Sequence, residues 1–546
     1  MKTKQEFRKT KIIGVRIIYL VFIALISGNV AFSQKDMTWK ELQKIYKFPS
    51  WYTEARFGIW VHWGAQTQPL MGGGWYARHM YMQDVGRQKW GKNAYEYHLK
   101  TYGHPSEKGY MEVLRDWKAD KLNTDELVKY FKSIGAKYFV ALANHHDHFD
   151  NWNSTYQPWN SVNVGPHKDI IGLFAASAKK YNIPYGVSSH DDRFLGWWLP
   201  AFGSDKSGPK KGVPYDGNMT KEDGKGKWWE GLDPADLYGL PPEKRTPEYI
   251  TKVKEKWFLR HEELVTKYDI DLIWFDGYGF PYKEYGKELC RVFLNNDYKD
   301  NGEFDKVIVG KISDDPIIVK DFEKGGSNEI LNHPWQGITT FRTWFYKEDP
   351  EAEYKQNDRT IIELLCDYSS KNGNLLLNVE LKGDGTIPPK QKVWLDSIGN
   401  WLHVNGEAIY ASHAWKIYGD NIGGGAASLK NSNLSETDLN AQQQKKQSEQ
   451  FNERTLSSPL YPYDEVRFTV KGDVLYVMVL NPDDGVIEIP SLGKESKYDV
   501  KKISSVRLLG SNNKIKYKQK KEKLILHVPA ERPTSYVAVF EVKGAL

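Results

Sequence analysis

Two cysteines in 546 residues cannot staple a fold of this size. Stability has to come from a buried apolar core, which a chain of this length can build. Cys290 and Cys366 sit in helix-like apolar contexts, where buried thiols are the simple expectation and a disulfide remains open. Long hydrophobic runs are also scarce. The one near the N-terminus, Ile17 to Ile26, is shorter than the roughly 18 residues a membrane span needs. It follows a basic stretch and precedes the small-residue site Ala31-Phe32-Ser33, the three parts of a signal peptide over residues 1–33. The expectation is an exported chain, periplasmic or secreted, with no membrane span in the mature part. No cysteine stands at the cleavage site to carry a lipid.

Charge of one sign is lacking too. The formal net charge of +6 comes from 76 Lys and Arg against 70 Asp and Glu, and residues 1–16 alone hold a surplus of +5. The body is therefore close to neutral, with no electrostatic footprint for nucleic acid. No glycine-rich phosphate loop follows a candidate strand, which disfavours a dinucleotide fold. No paired cysteines and no HExxH spacing announce a metal centre.

Aromatic residues are abundant instead: 20 Trp, 33 Tyr and 22 Phe. Flat faces with a polar edge suit the apolar side of a sugar ring. Most of the tryptophans belong in a core of this size, but the pairs Trp197-Trp198 and Trp228-Trp229 are harder to hide there.

Between about residues 55 and 410, short apolar runs recur, each followed by a polar loop and a helical stretch. One unit is clear: Asn123 or Thr124 caps a helix with Leu127, Val128, Phe131 and Ile134 on one face, Gly135 ends it, and Tyr138–Leu142 follows as a strand. Further candidate strands are Phe57–Val61, Tyr185–Ser188, Ile270–Phe275, Lys306–Val309 and Leu375–Val379. This alternation predicts a parallel sheet closed as a (β/α)₈-like barrel over residues 34–415. Residues 416–460 include a polar Gln- and Lys-rich stretch and read as an insertion or linker. Residues 461–546 hold short strand-like runs between turn residues, the pattern of a small antiparallel β-sandwich. The lysines between 514 and 523 read as a solvated hairpin face rather than an anion-binding patch.

In a parallel barrel the working groups stand just past the C-terminal strand ends. That rule selects His62-Trp63-Gly64, then Asn144 to Phe149, then Asp276-Gly277. Asp276 ends an apolar run, so it is either a nucleophile or the acceptor of an Asx turn with Gly277. His145, His146 and His148 are open to three readings: imidazoles that hydrogen-bond sugar hydroxyls, zinc ligands, or buried structural groups.

These blocks resemble one family, the α-L-fucosidases of glycoside hydrolase family 29. Ala55 to Gly64 (ARFGIWVHWG), His145 to Phe149 (HHDHF), Leu272 to Gly277 (LIWFDG), Ser370 to Asn378 (SKNGNLLLN) and Trp401 to Tyr410 (WLHVNGEAIY) follow in family order. The resemblance implies a barrel with a C-terminal β-sandwich and an exo-acting, retaining hydrolase of terminal α-L-fucose that needs no metal or cofactor. It also implies that Asp276 is the nucleophile and that His62, Trp75, His145, His146 and Trp274 contact the sugar. For the acid/base the choice is Glu323, with Glu329 as the alternative. Retention would need two carboxyl groups about 5 to 5.5 Å apart.

Departures from the family pattern bear on the sugar. Gly74 stands where the family has a Glu, His148 replaces a small Gly, and His190 and Asp191 follow the third strand where an aromatic is usual. A more polar pocket wall makes L-galactose, in algal-type galactans, an alternative substrate. A non-catalytic glycan-binding protein and a metal-dependent hydrolase are the competing classes. The expected partner is an oligo- or polysaccharide; linkage and oligomeric state are not legible.

Overall fold

The computed structural model describes residues 36–83, 93–299, 302–312, 315–323, 325–348, 354, 356–421, 465–480, 482 and 485–546. The expected signal peptide and most of the expected linker lie outside the described residues. Eight parallel strands close into a barrel in sequence order: β1 (Phe57–Val61), β2 (Tyr138–Asn144), β3 (Tyr185–Ser189), β4 (Leu272–Tyr278), β5 (Val307–Lys311), β6 (Val319–Glu323), β7 (Trp335–Thr340) and β8 (Gly373–Asn378). β1 pairs with β8 to shut the sheet. Helices Thr124–Ser133, Ile170–Tyr181, Pro247–Lys267, Glu284–Asn295, Asp358–Ser369 and Pro389–Asn405 pack outside. No helix separates β5 from β6 or β6 from β7 among the described residues.

Strand alternation sorts the side chains. Trp60, Tyr138, Val140, Leu272, Trp274, Val307, Val309, Val319, Ile338 and Leu376 fill the barrel interior, while Ile59, Val61, Phe139, Ile273 and Phe275 face the surrounding helices. Continuing the inward rows one step brings His62, Asp276 and Lys311 to one mouth, and on β6 a second step, past Asp321, brings Glu323 there.

The C-terminal part is two antiparallel sheets. One runs β13-β16-β11-β10-β9, with β9 (His413–Asn421), β10 (Glu465–Lys471), β11 (Val474–Val479), β13 (Ser505–Leu508) and β16 (Ala538–Lys543). The other runs β12-β15-β14, with β12 (Gly485–Ile489), β14 (Tyr517–Gln519) and β15 (Leu524–Val528). Phe468, Leu475, Val477, Leu524, Leu526 and Phe540 form their shared core. β9 is paired along β10, so residues 416–421, read from sequence as linker, belong to this sheet. The lysines at 514, 516, 518, 520 and 521 are exposed around buried Ile515, as a solvated hairpin face requires. The far side of the five-stranded sheet packs on the barrel domain, where Trp401 Nε1 donates to the Val537 carbonyl at 2.9 Å. Cys290 and Cys366 are both buried and unpaired. Trp197 and Trp198 are buried as well, against the expectation for that pair; of the other pair, Trp229 is buried and Trp228 exposed.

Candidate active site

At the mouth, β4 bulges: its register against β5 shifts between Phe275 and Tyr278, leaving Asp276-Gly277 as the extra length. Gly277 has φ +92°, and a Cβ there would lie 2.6 Å from Arg193 Nη2, so only glycine lets the guanidinium sit against this turn. Asp276 Oδ1 accepts a hydrogen bond from Lys311 Nζ at 3.0 Å, and the same ammonium donates to Glu323 Oε2 at 2.6 Å. Burial would raise the Asp276 pKa, but Lys311 above all, with Arg193, holds it well below the ordinary carboxylate range. Asp276 is thus an ionised, partly buried carboxylate bound to a side chain rather than the acceptor of a simple turn.

The histidines stand opposite. His62 follows β1, its backbone N–H donating to Asn378 Oδ1 at the end of β8 (3.0 Å). Asn378 Nδ2 in turn donates to the Trp344 carbonyl (2.9 Å), tying the loop after β7 to the same rim. Both ring nitrogens of His62 are buried without a hydrogen-bond partner among the described residues. Burial depresses its pKa to about 3, so the ring is neutral and offers one donor and one acceptor. His145 Nδ1 meets Gln66 Nε2 at 2.8 Å. His146 Nδ1 donates to the His190 carbonyl, which leaves Nε2 as an acceptor 3.7 Å from Asp276 Oδ2. A substrate hydroxyl between them would have acceptors on both sides. Burial keeps His145, His146 and His190 below their usual pKa.

Aromatic rings form the rest. Trp274 packs on Trp60 at 4.8 Å and on His190 at 4.9 Å, making a floor. Phe345 lies edge-on to His62 (4.7 Å) and His145 (5.1 Å). Trp75 is 37% exposed and reaches the histidines through Trp197, which lies 4.8 Å from Trp75 and 4.9 Å from His146. All seven residues expected to work together therefore gather at this mouth, Trp75 at its edge. Among the described residues no hydrogen bond or ion pair links Glu329 to them; it bonds Ser327 and lines a separate cavity of about 560 Å³ with Lys416, Tyr418 and Tyr498.

His148 and Asp191 are elsewhere than the departures suggested. His148 stacks on Phe194 at 3.6 Å, and its Nδ1 bonds Asp191 at 2.7 Å. Fully buried Arg260 completes this network by pairing with Asp150 and, at 2.6 Å, with Asp191. Of the polar departures only His190 lines the site, its Nδ1 buried and without a partner among the described residues. Gly74, with φ +109°, is explained by Phe345: a Cβ would lie 2.6 Å from Phe345 Cδ2, so the ring occupies the room a side chain would take.

Sequence reading missed Lys311, Arg193, Asp192, Trp344 and Phe345. A signal existed for Lys311, which stands two residues past an apolar run on the inward parity. Asp192, whose carboxyl burial lifts to about 7, also feels the charge of Asp276. For a metal, the geometry selects His62, His145 and His190, whose ring nitrogens lie within 4.8 Å of one another, in place of a trio containing His148. That set holds no carboxylate, and its neutral imidazoles are equally matched to hydroxyl groups.

A barrel mouth with an ionised carboxylate, a second carboxyl beside it, neutral imidazoles and a tryptophan floor is the site of a glycoside hydrolase. A family model described as Alpha-L-fucosidase matches residues 24–407, and one described as Alpha-L-fucosidase C-terminal domain matches residues 463–543. The chain belongs to the α-L-fucosidase family of glycosidases. Tissue alpha-L-fucosidase of Bos taurus is 29% identical over 427 residues, covering 74% of this chain and 80% of its own. The Homo sapiens counterpart is 26% identical over 503 residues, covering 90% and 87%. Among solved structures, the Thermotoga maritima alpha-fucosidase shares the fold with a TM-score of 0.64 at 24% identity, over 93% of this chain and 99% of that one.

Proposed function

We propose that this enzyme releases terminal α-L-fucose from glycans with retention, through a covalent glycosyl-enzyme on Asp276, with Glu323 as acid and then base. The carboxyl spacing carries the reading. Oxygens of Asp276 and Glu323 lie 3.0 and 2.6 Å from one nitrogen, and so at most 5.6 Å apart. Retaining enzymes hold the two groups about 5 to 5.5 Å apart, whereas inverting ones need roughly 6.5 to 9.5 Å to admit water between them. Asp276 attacks the anomeric carbon while Glu323 protonates the leaving oxygen; Glu323 then deprotonates the water that cleaves the ester. His62, His145 and His146 supply hydroxyl contacts and Trp274 the apolar face, with no metal required. The basic, apolar and small-residue N-terminus supports export.

A second reading, release of α-L-galactose, is favoured by the unpartnered His190 nitrogen in the pocket. The test is a panel of aryl α-L-fucoside, α-L-galactoside and β-D-galactoside, with NMR of the first-formed sugar. Initial release of the α-anomer of fucose supports the proposal; initial β-anomer refutes retention, and β-D-galactoside turnover alone refutes the class. Unchanged turnover in a chelator would discard a catalytic metal.

A further inference from the structure

Lys311 closes β5 with its side chain only 7% exposed, bound to both carboxylates of the site and 5.7 Å over the Trp274 ring. Asp321 lies one inward position below Glu323 on β6. Burial alone would lower the pKa of this amine; Asp276, Glu323 and Asp321 together more than offset that, so the group stays a cation. A buried lysine of this kind is costly unless the surrounding charges need it.

The two-step reaction moves one negative charge between two places. In the first step an Asp276 oxygen bonds to the anomeric carbon, the glycosidic C–O bond breaks, and the Glu323 proton passes to the departing oxygen. Asp276 becomes a neutral ester and Glu323 a carboxylate. In the second, Glu323 takes a proton from water, the water oxygen bonds to the anomeric carbon, and the ester C–O bond breaks. The charge returns to Asp276. We propose that Lys311 is the shared counter-ion of this pair, a positioning residue that offsets whichever carboxylate carries the charge. The proposal rests on the roles assigned to Asp276 and Glu323. With one fixed ammonium within hydrogen-bond reach of both, neither step needs solvent to rearrange.

The titratable neighbours that share its field are Tyr278 on β4, Asp321 on β6 and His190 after β3, with His62, His146, Asp192 and Arg193 facing Asp276 across the mouth. The histidines are held neutral by burial, so among these groups Lys311 is the buried cation.

The test compares Lys311→Met with Lys311→Arg on an activated aryl α-L-fucoside across pH. Losing one preorganised charge should lower kcat/KM by about 10²- to 10³-fold. Without the cation Asp276 binds its proton more tightly, so the acid limb of the profile should move up by roughly one to three pH units. Lys311→Arg should keep the limb in place. Unmoved limbs in Lys311→Met, however slow the enzyme, would overturn the proposal, because a merely structural lysine leaves the profile's shape alone. Should Lys311→Met not fold at neutral pH, combining it with Glu323→Gln removes the unbalanced charge; failure of that double variant, where Glu323→Gln alone folds, would also overturn it. Glu323→Ala is measured in parallel with leaving groups of differing basicity. If it shows no leaving-group dependence, the Glu323 assignment fails on its own, while the Asp276 limb still reports on Lys311.

Discussion

Gly74→Ala tests how the fold shapes the pocket without touching a reacting group. The new methyl would sit 2.6 Å from Phe345 Cδ2, about 1 Å inside ordinary carbon contact. It would also adopt φ +109°, a backbone state that costs of order 1 to 3 kcal/mol for a side-chain-bearing residue. Phe345 cannot retreat freely, because its ring bears on His62 and His145 and the loop behind it is pinned by Thr343, whose N–H donates to buried Glu380 at 2.6 Å. The displacement therefore passes to the histidines, and an error of about 1 Å in a positioning group can cost about 10²-fold. Melting and kcat/KM on an aryl α-L-fucoside are measured for Gly74→Ala, Phe345→Leu and the double variant. The expected result is coupling: Gly74→Ala lowers kcat/KM by roughly 10- to 100-fold in the native background and hardly at all once Phe345 is trimmed. The melting loss from backbone strain persists in both. Equal kcat/KM losses in the two backgrounds, or none in the native one, would refute the argument.

Two further outcomes follow from the same geometry. Arg260→Leu strands Asp150 and Asp191 in the interior and should cost about 3 to 5 kcal/mol by denaturant titration; a cost below about 1 kcal/mol would mean the network is not charged as drawn. His190→Phe should reduce kcat/KM on α-L-galactoside by more than on α-L-fucoside, since a pocket that hydrogen-bonds a hydroxyl discriminates far more sharply than an apolar one; equal losses would place His190 away from the sugar's C6.

How far the sequence could be read varies strand by strand. β1, β2, β4, β5 and β8 show as apolar runs because their inner faces carry Trp60, Val140, Trp274, Val309 or Leu376 before the polar mouth begins, while β3 shows through its outward Tyr185 and Val187. β6 and β7 carry the polar groups inside the sheet. β6 turns Asp321 and Glu323 inward around one valine, and β7 buries Gln336, which accepts hydrogen bonds from the Tyr52 and Tyr138 hydroxyls. With no helix on either side of β6 among the described residues to set a rhythm, neither has the pattern that marks a strand. The histidines and Asp276 were legible because the strand-end rule and the family motifs coincide there. Lys311 was not, since a lysine just after a strand ordinarily reads as a solvated turn. His148 misled for the opposite reason: sequence places it beside two pocket residues, while its φ of +59° and its bond to Asp191 carry it into the buried Arg260 network.

The central claim is that Asp276 carries the sugar during turnover. Incubation with a 2-fluoro fucoside bearing an activated leaving group, followed by proteolysis and mass spectrometry, reads that directly. The account predicts a stoichiometric fluorofucosyl adduct on the peptide containing Asp276, absent from Asp276→Gly. Turnover with no adduct, or an adduct on Glu323 or Asp192, would contradict it.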